Sequence, residues 1–322
     1  MNLGLPYKGS KNLIAMDIID MLPTADVFVD LFCGGCSMTH AAMLSGKYKR
    51  FILNDINPMC PTLFVDAVNG KFKDEKRWIS REDFLASDEP YVKFCWSFGN
   101  NLKSYLYSNE IEPYKRACHY AIVFGEWNEL IQLCPEVYDA AHNALAHLCG
   151  TKERRLAFGP AVVKRLKELD DIELVENNAL YKSAHWRGGF PGKEHNDLQS
   201  LQSLERLQSL QSLESLESFS LDYREIKIPE NSVVYCDIPY RGTDGYLNDF
   251  DHDAFFEWAR KQPFDIYISE YNAPPDFHAI GEIEHRSRMS AIENKSVFEK
   301  IFCNHDIFQH GKMNKGGQFS LF

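Results

Sequence analysis

The sequence predicts an α/β fold, an open sheet interrupted by a mostly helical insertion. Three stretches predict it: Val27-Phe28-Val29-Asp30, Phe51-Ile52-Leu53-Asn54-Asp55 and Val233-Val234-Tyr235-Cys236-Asp237. Each is a short apolar run of β-branched and aromatic residues, the signature of a buried strand, and each closes on a carboxylate. The first two stand at βαβ distance, joined by a glycine turn and a helical run carrying Ala41, Ala42 and Leu44.

The third run continues as Ile238-Pro239-Tyr240. Proline cannot donate to a sheet ladder, so the strand stops there and delivers Asp237 and Tyr240 together to its carboxyl end. Open α/β sheets bind their ligands at that end. A carboxylate beside an aromatic ring suits a planar substrate carrying an amine, since the carboxylate takes the N–H and the ring covers the π face. The plainer reading is a strand and a turn with an ordinary core tyrosine.

At the N-terminus, Tyr7, Lys8 and Lys11 flank a Gly9-Ser10 turn just ahead of an amphipathic run with Leu13, Ile14, Ile18, Ile19 and Leu22 at helical spacing. A basic segment before a helix N-terminus favours an anion. Gly34 and Gly35 after the first strand allow the backbone to close tightly on a nucleotide-like ligand. Asp55, at the end of the second strand, is placed to accept the two hydroxyls of a ribose, with a helix cap as the alternative.

Composition bounds the partners. The chain has 322 residues, 44% hydrophobic and 25% charged, and can bury a sizeable core. No apolar run approaches the roughly 20 residues of a membrane span, and the N-terminus lacks the pattern of a signal peptide, so a cytoplasmic protein is expected. Nine cysteines, an odd number without paired spacing, fit reduced thiols, and Cys33 and Cys36 lack the further ligands of a metal site. A net charge of −11 argues against a generic polyanion binder, so any nucleic-acid surface must be local. Its candidates are Lys152, Arg154 and Arg155, then Lys164, Arg165 and Lys167, then Arg286 and Arg288, each also readable as a solvated face.

Residues 58–184 change texture to helices and aromatic loops. Phe94-Cys95-Trp96-Ser97-Phe98-Gly99-Asn100-Asn101 combines aromatics with amides of the kind that read base edges, or forms a buried aromatic corner. From Leu198, leucine recurs at every third position through Leu216. A period of three matches neither helix nor strand, so this stretch reads as an insert whose removal leaves the chemistry intact.

Taken together, Tyr7-Lys8-Gly9-Ser10-Lys11, Asp30-Leu31-Phe32-Cys33-Gly34-Gly35, Leu53-Asn54-Asp55-Ile56-Asn57 and Tyr235-Cys236-Asp237-Ile238-Pro239-Tyr240 resemble, in order, the motifs of Dam-type (alpha group) N6-adenine-specific DNA methyltransferases. The resemblance implies a Rossmann-like S-adenosylmethionine-dependent methyltransferase sheet, double-stranded DNA as substrate, an enzyme acting as a monomer, and no metal. It implies a catalytic domain of residues 1–58 and 219–322, a target-recognition domain of residues 59–197, and a low-complexity insert of residues 198–218. Asp237, Ile238, Pro239 and Tyr240 match the catalytic motif. Tyr7 and Lys11 match cofactor contacts, Asp30 and Gly34 match the loop at the methionine end with Phe32 between them, Asp55 matches the ribose acceptor, and Asp222 resembles the acidic residue near the cofactor's adenine. Asp237 counts in the cofactor set as well. Two residues depart from the pattern: Ile238 replaces the first proline, and Cys36 stands where glycine is usual. The C-terminal run Gln318, Phe319, Ser320, Leu321 and Phe322 is similar to peptides that dock into bacterial sliding clamps, with a final strand as the alternative.

Overall fold

The computed structural model describes residues 3–5, 10–98, 101–169, 207, 215–240, 250–286 and 296–307. Tyr7, Arg288, the C-terminal run 318–322 and most of the stretch 198–218 lie outside the described residues.

Among the described residues, seven strands form one sheet: β1 (Val27–Asp30), β2 (Arg50–Asn54), β3 (Leu216–Phe219), β4 (Ser232–Cys236), β5 (Ile266–Glu270), β6 (His278–Arg286) and β7 (Ser296–Cys303). Their order is β3-β2-β1-β4-β5-β7-β6. The first five run parallel, and β7 enters antiparallel between β5 and β6. The expected α/β, Rossmann-like sheet is therefore present. From β1 the chain steps outward to β2 and β3, then returns to place β4 on the other flank of β1. That reversal is a topological switch point, where crevices open at the carboxyl ends of the strands. Register pairs Asp30 with Tyr235, so Asp30 and Asp237 emerge on neighbouring strands at this point.

The central strands are apolar because both faces are covered. All four residues of β1 are buried, as are four of the five in β2 and in β4. One core joins Val29, Ile52, Val234, Cys236, Ile238 and Ile268 with Phe255 and Phe256 from the helix His252–Arg260. Asp251 starts that helix by accepting a hydrogen bond from the Ala254 N–H at 2.9 Å. Helix α1 (Ala15–Met21) buries Ile18 and Ile19, and α2 (Ser37–Ser45) crosses from β1 to β2.

The chain divides into two compact units, residues 1–73 with 200–322, and residues 74–199. Helix α3 (Met59–Val68) lies in the first unit, where it packs against β3. That strand is built from the last leucine of the period-three stretch, with Leu216 opposite Phe51. The second unit is helical among its described residues apart from one isolated bridge between Ser97 and Tyr105, and its core includes Ala117, Ile122, Leu130, Phe158 and Val162. Phe94 and Trp96 are buried, and Trp96 meets Trp78 edge to face at 5.1 Å, so these aromatics form a buried corner. Arg154 donates to the Ala121 carbonyl, Arg155 is buried, and Arg165 donates to the Glu136 carbonyl, so these three of the unit's six basic candidates are engaged within the unit itself. Among the described residues, no helix is long and apolar enough to cross a membrane.

Candidate active site

The turn after β1 is shaped by backbone geometry. Cys36 N–H donates to the Cys33 carbonyl at 2.6 Å, closing a tight turn across Gly34 and Gly35, and α2 begins at Ser37. Gly34 has φ +44° and Cys36 has φ +58°, the left-handed region that glycine tolerates and other residues resist. The Cys36 side chain is wholly buried, with its Sγ 3.7 Å from that of Cys33. Being buried, the Cys36 side chain leaves the loop's outer face clear. Burial pushes the Cys33 thiol far up and raises that of Cys36, which makes both poor nucleophiles.

A second segment braces this turn. Leu5 N–H donates to the Gly35 carbonyl at 2.7 Å, and Gly4 N–H donates to His40 Nδ1 at 2.9 Å. Gly4 has φ +66°, and a Cβ there would stand 2.4 Å from the Gly35 oxygen, so only glycine fits this close approach.

Three carboxylates stand at or beside the ends of β1 and β2. Asp30 is buried, and its Oδ2 accepts from Thr39 Oγ1 at 2.8 Å while its Oδ1 has no hydrogen-bond partner among the described residues. Burial pushes its pKa up to about 7. A buried acceptor without a donor is costly in isolation and suits a ligand that brings one. Asp55 accepts from Gly34 N–H through Oδ2 and from Asn57 N–H through Oδ1, both at 2.9 Å, so it holds the glycine turn against the end of β2. Asp222 lies beside the same strand end, because Leu221 exchanges two hydrogen bonds with the Asn54 side chain. Its carboxylate forms a bidentate pair with Arg224, at 2.7 Å on each oxygen. Phe32 packs against Tyr223 and Phe250.

At the end of β4, Lys11 and Asp237 meet at 3.0 Å between Nζ and Oδ1. Lys11 also donates to the Tyr240 hydroxyl and lies 3.6 Å from Glu299 Oε1. The Tyr240 hydroxyl donates to that same Oε1 at 2.6 Å, and Ser269 Oγ donates to it at 2.5 Å. The Tyr240 ring stacks on Tyr271, with centroids 4.6 Å apart. Asp237 keeps 21% of its side chain exposed, against 6% for Lys11 and 1% for Glu299, so it is the charged member that a substrate can reach. No contact among the described residues occupies its Oδ2. Burial raises its pKa to about 6, opposed by Lys11 and reinforced by Glu299. Pro239 presents its carbonyl to His252 Nε2 at 2.7 Å, and the Ile238 side chain is buried in the core.

The structure thus gathers Lys11, Asp30, Gly34, Asp55, Asp237 and Tyr240 at the carboxyl ends of three adjacent strands. Sequence reasoning missed Ser269, Glu270, Tyr271 and Glu299. The first three repeat the pattern of β4, a strand closing on a carboxylate and then an aromatic ring. Glu270 is buried with one oxygen lacking a partner among the described residues, and burial pushes its pKa up to about 7. Among the described residues, no group of three or more His, Cys, Asp or Glu could hold a metal ion.

Residues 7–130 match the family model described as D12 class N6 adenine-specific DNA methyltransferase, in agreement with the Dam-type resemblance. The matched span holds Lys11, the glycine turn and Asp55, and it ends before Asp237. No curated protein matches the chain.

Proposed function

We propose, from the D12-class match as premise, that this protein transfers a methyl group from S-adenosylmethionine to the N6 amine of adenine at specific sites in double-stranded DNA. The observation that carries the reading is the convergence of an orphaned buried carboxylate oxygen on Asp30, a braced glycine turn, and Asp237 with Tyr240 at one switch point.

These residues fit the cofactor. Asp30 Oδ1 lacks a donor, which an α-ammonium group supplies, and the Gly34 turn allows close approach of a ligand to the backbone. Asp55 would accept from ribose hydroxyls with the lone pairs left over from its two backbone contacts. Tyr7, Phe32 and Asp222 complete the set that the family resemblance implies. When bound, the cofactor supplies an electrophilic methyl group on a sulfonium.

An adenine stacked in duplex DNA is out of reach, so the base is flipped out, and the paired rings of Tyr240 and Tyr271 offer a stacking surface. Asp237 Oδ2 accepts an N–H of the target amine. The amine lone pair, otherwise delocalised into the ring, is thereby directed toward the methyl group, and the carboxylate stabilises positive charge growing on nitrogen. Lys11 holds Oδ1 and keeps Asp237 ionised at neutral pH.

Asp55→Ala is expected to weaken S-adenosylmethionine binding by roughly 1–3 kcal/mol, through two unpaired hydroxyls and a loosened Gly34 turn. Calorimetric titration measures this, and an unchanged dissociation constant reduces Asp55 to a turn cap. The reading as a whole is tested by sequencing methylated positions in the DNA of cells expressing the protein. Methylated adenine within one short sequence supports it; unmodified DNA from cells holding folded, cofactor-binding protein points to an inactive DNA-binding module.

A further inference from the structure

We propose that Glu299 is a positioning residue for methyl transfer, anchoring the Tyr240 hydroxyl and Lys11 from the far side of the site. The inference rests on the proposed reaction and extends it to a strand that the matched family segment does not include.

Glu299 lies on β7, where its neighbours two and four residues on, Ile301 and Cys303, are wholly buried. A carboxylate among such residues carries a desolvation penalty of several kcal/mol unless its partners are well placed. Here they are: Tyr240 Oη donates at 2.6 Å and Ser269 Oγ at 2.5 Å, both to Oε1, with Lys11 Nζ at 3.6 Å. Replacing that charge with an apolar side chain would satisfy the core equally well, so packing alone does not account for it. Its contacts with Tyr240 and Lys11 reach the ring proposed to carry the base and the cation that holds Asp237. With 1% of its side chain exposed, Glu299 cannot touch the base itself. It acts through Tyr240, whose ring direction is set by its hydroxyl at one end and by Tyr271 along its face.

The decisive property is the acceptor oxygen, which separates two substitutions. Glu299→Gln retains an acceptor for both hydroxyls, whereas Glu299→Ala removes it. Glu299→Ala should lower kcat by about 10- to 100-fold with S-adenosylmethionine affinity within about threefold, while Glu299→Gln should keep kcat within about threefold. Tyr240→Phe, which deletes only the hydroxyl, should lose about as much kcat as Glu299→Ala, and the pair combined should lose little more than either alone. Crystal structures of the variants should show the Tyr240 ring displaced in Glu299→Ala and in place in Glu299→Gln.

Wild-type kcat in Glu299→Ala, equal losses in both Glu299 variants, or additive losses with Tyr240→Phe would each overturn the proposal. Should neither Glu299 variant fold, Tyr240→Phe decides, since full activity without the hydroxyl contradicts positioning through Tyr240, the contact on which the proposal turns. The ring positions keep the two readings apart. An inactive wild-type protein contradicts methyl transfer, whereas an undisplaced ring in Glu299→Ala contradicts the role of Glu299.

Discussion

Asp237→Ala should abolish methyl transfer, lowering kcat by about 10²- to 10³-fold or more, while S-adenosylmethionine affinity stays within about tenfold. The asymmetry follows from where the carboxylate stands. Its Oδ1 is held by Lys11, its Oδ2 is open, and it is the most exposed charge of its cluster. Its interaction with the amine strengthens as charge moves onto nitrogen, so its loss falls on the transition state. The fold should survive, because Lys11 retains Glu299 and Tyr240 as partners. Single-turnover methylation of a DNA duplex, with cofactor binding measured separately by calorimetry, resolves the two effects. Wild-type turnover in this variant would remove Asp237 from the chemistry.

Lys11→Met should destabilise the protein by about 3–5 kcal/mol near neutral pH, because it strands a buried carboxylate, Glu299, and a partly buried one, Asp237, that share one cation. The effect has a predictable pH dependence. The Asp237 pKa is already raised from 3.8 to about 6 by burial, with Lys11 acting against that rise. Without the lysine it goes higher. A carboxyl group whose folded pKa is raised contributes stability below its unfolded value, and that contribution is lost as pH rises through the folded value. The deficit of the variant is therefore greatest above about pH 7 and shrinks as the pH falls and Asp237 takes up a proton. Urea unfolding of both proteins across this range measures it. A deficit that is constant with pH would mean that the lysine acts through packing alone.

Much of the site was legible because of how a parallel strand is written. β1, β2 and β4 are buried on both faces, so their residues form continuous apolar runs, and the carboxylates ending them stand out. β5 ends in the same way with Glu270 and Tyr271, yet Ser269 within it and the tyrosine after it were not read as part of a site. Glu299 was not legible at all. In Ser296-Val297-Phe298-Glu299-Lys300-Ile301 nothing distinguishes a buried carboxylate from a solvated one, since its partners come from residues 11, 240 and 269. β3 was hidden because Leu216 belongs by spacing to the period-three stretch, and only its pairing with β2 gives it a strand's geometry. The basic candidates show the opposite limit: charge density alone did not reveal that Arg154 and Arg165 donate to backbone carbonyls of neighbouring elements and that Arg155 is buried.

The most direct measurement of the central claim is nucleoside mass spectrometry of plasmid DNA incubated with the purified protein and S-adenosylmethionine carrying a deuterated methyl group. The account predicts N6-methyladenine bearing the intact labelled methyl group, absent when Asp237→Ala replaces the wild-type protein. Label on the cytosine amine, or unlabelled DNA from wild-type protein that binds the cofactor, would contradict it.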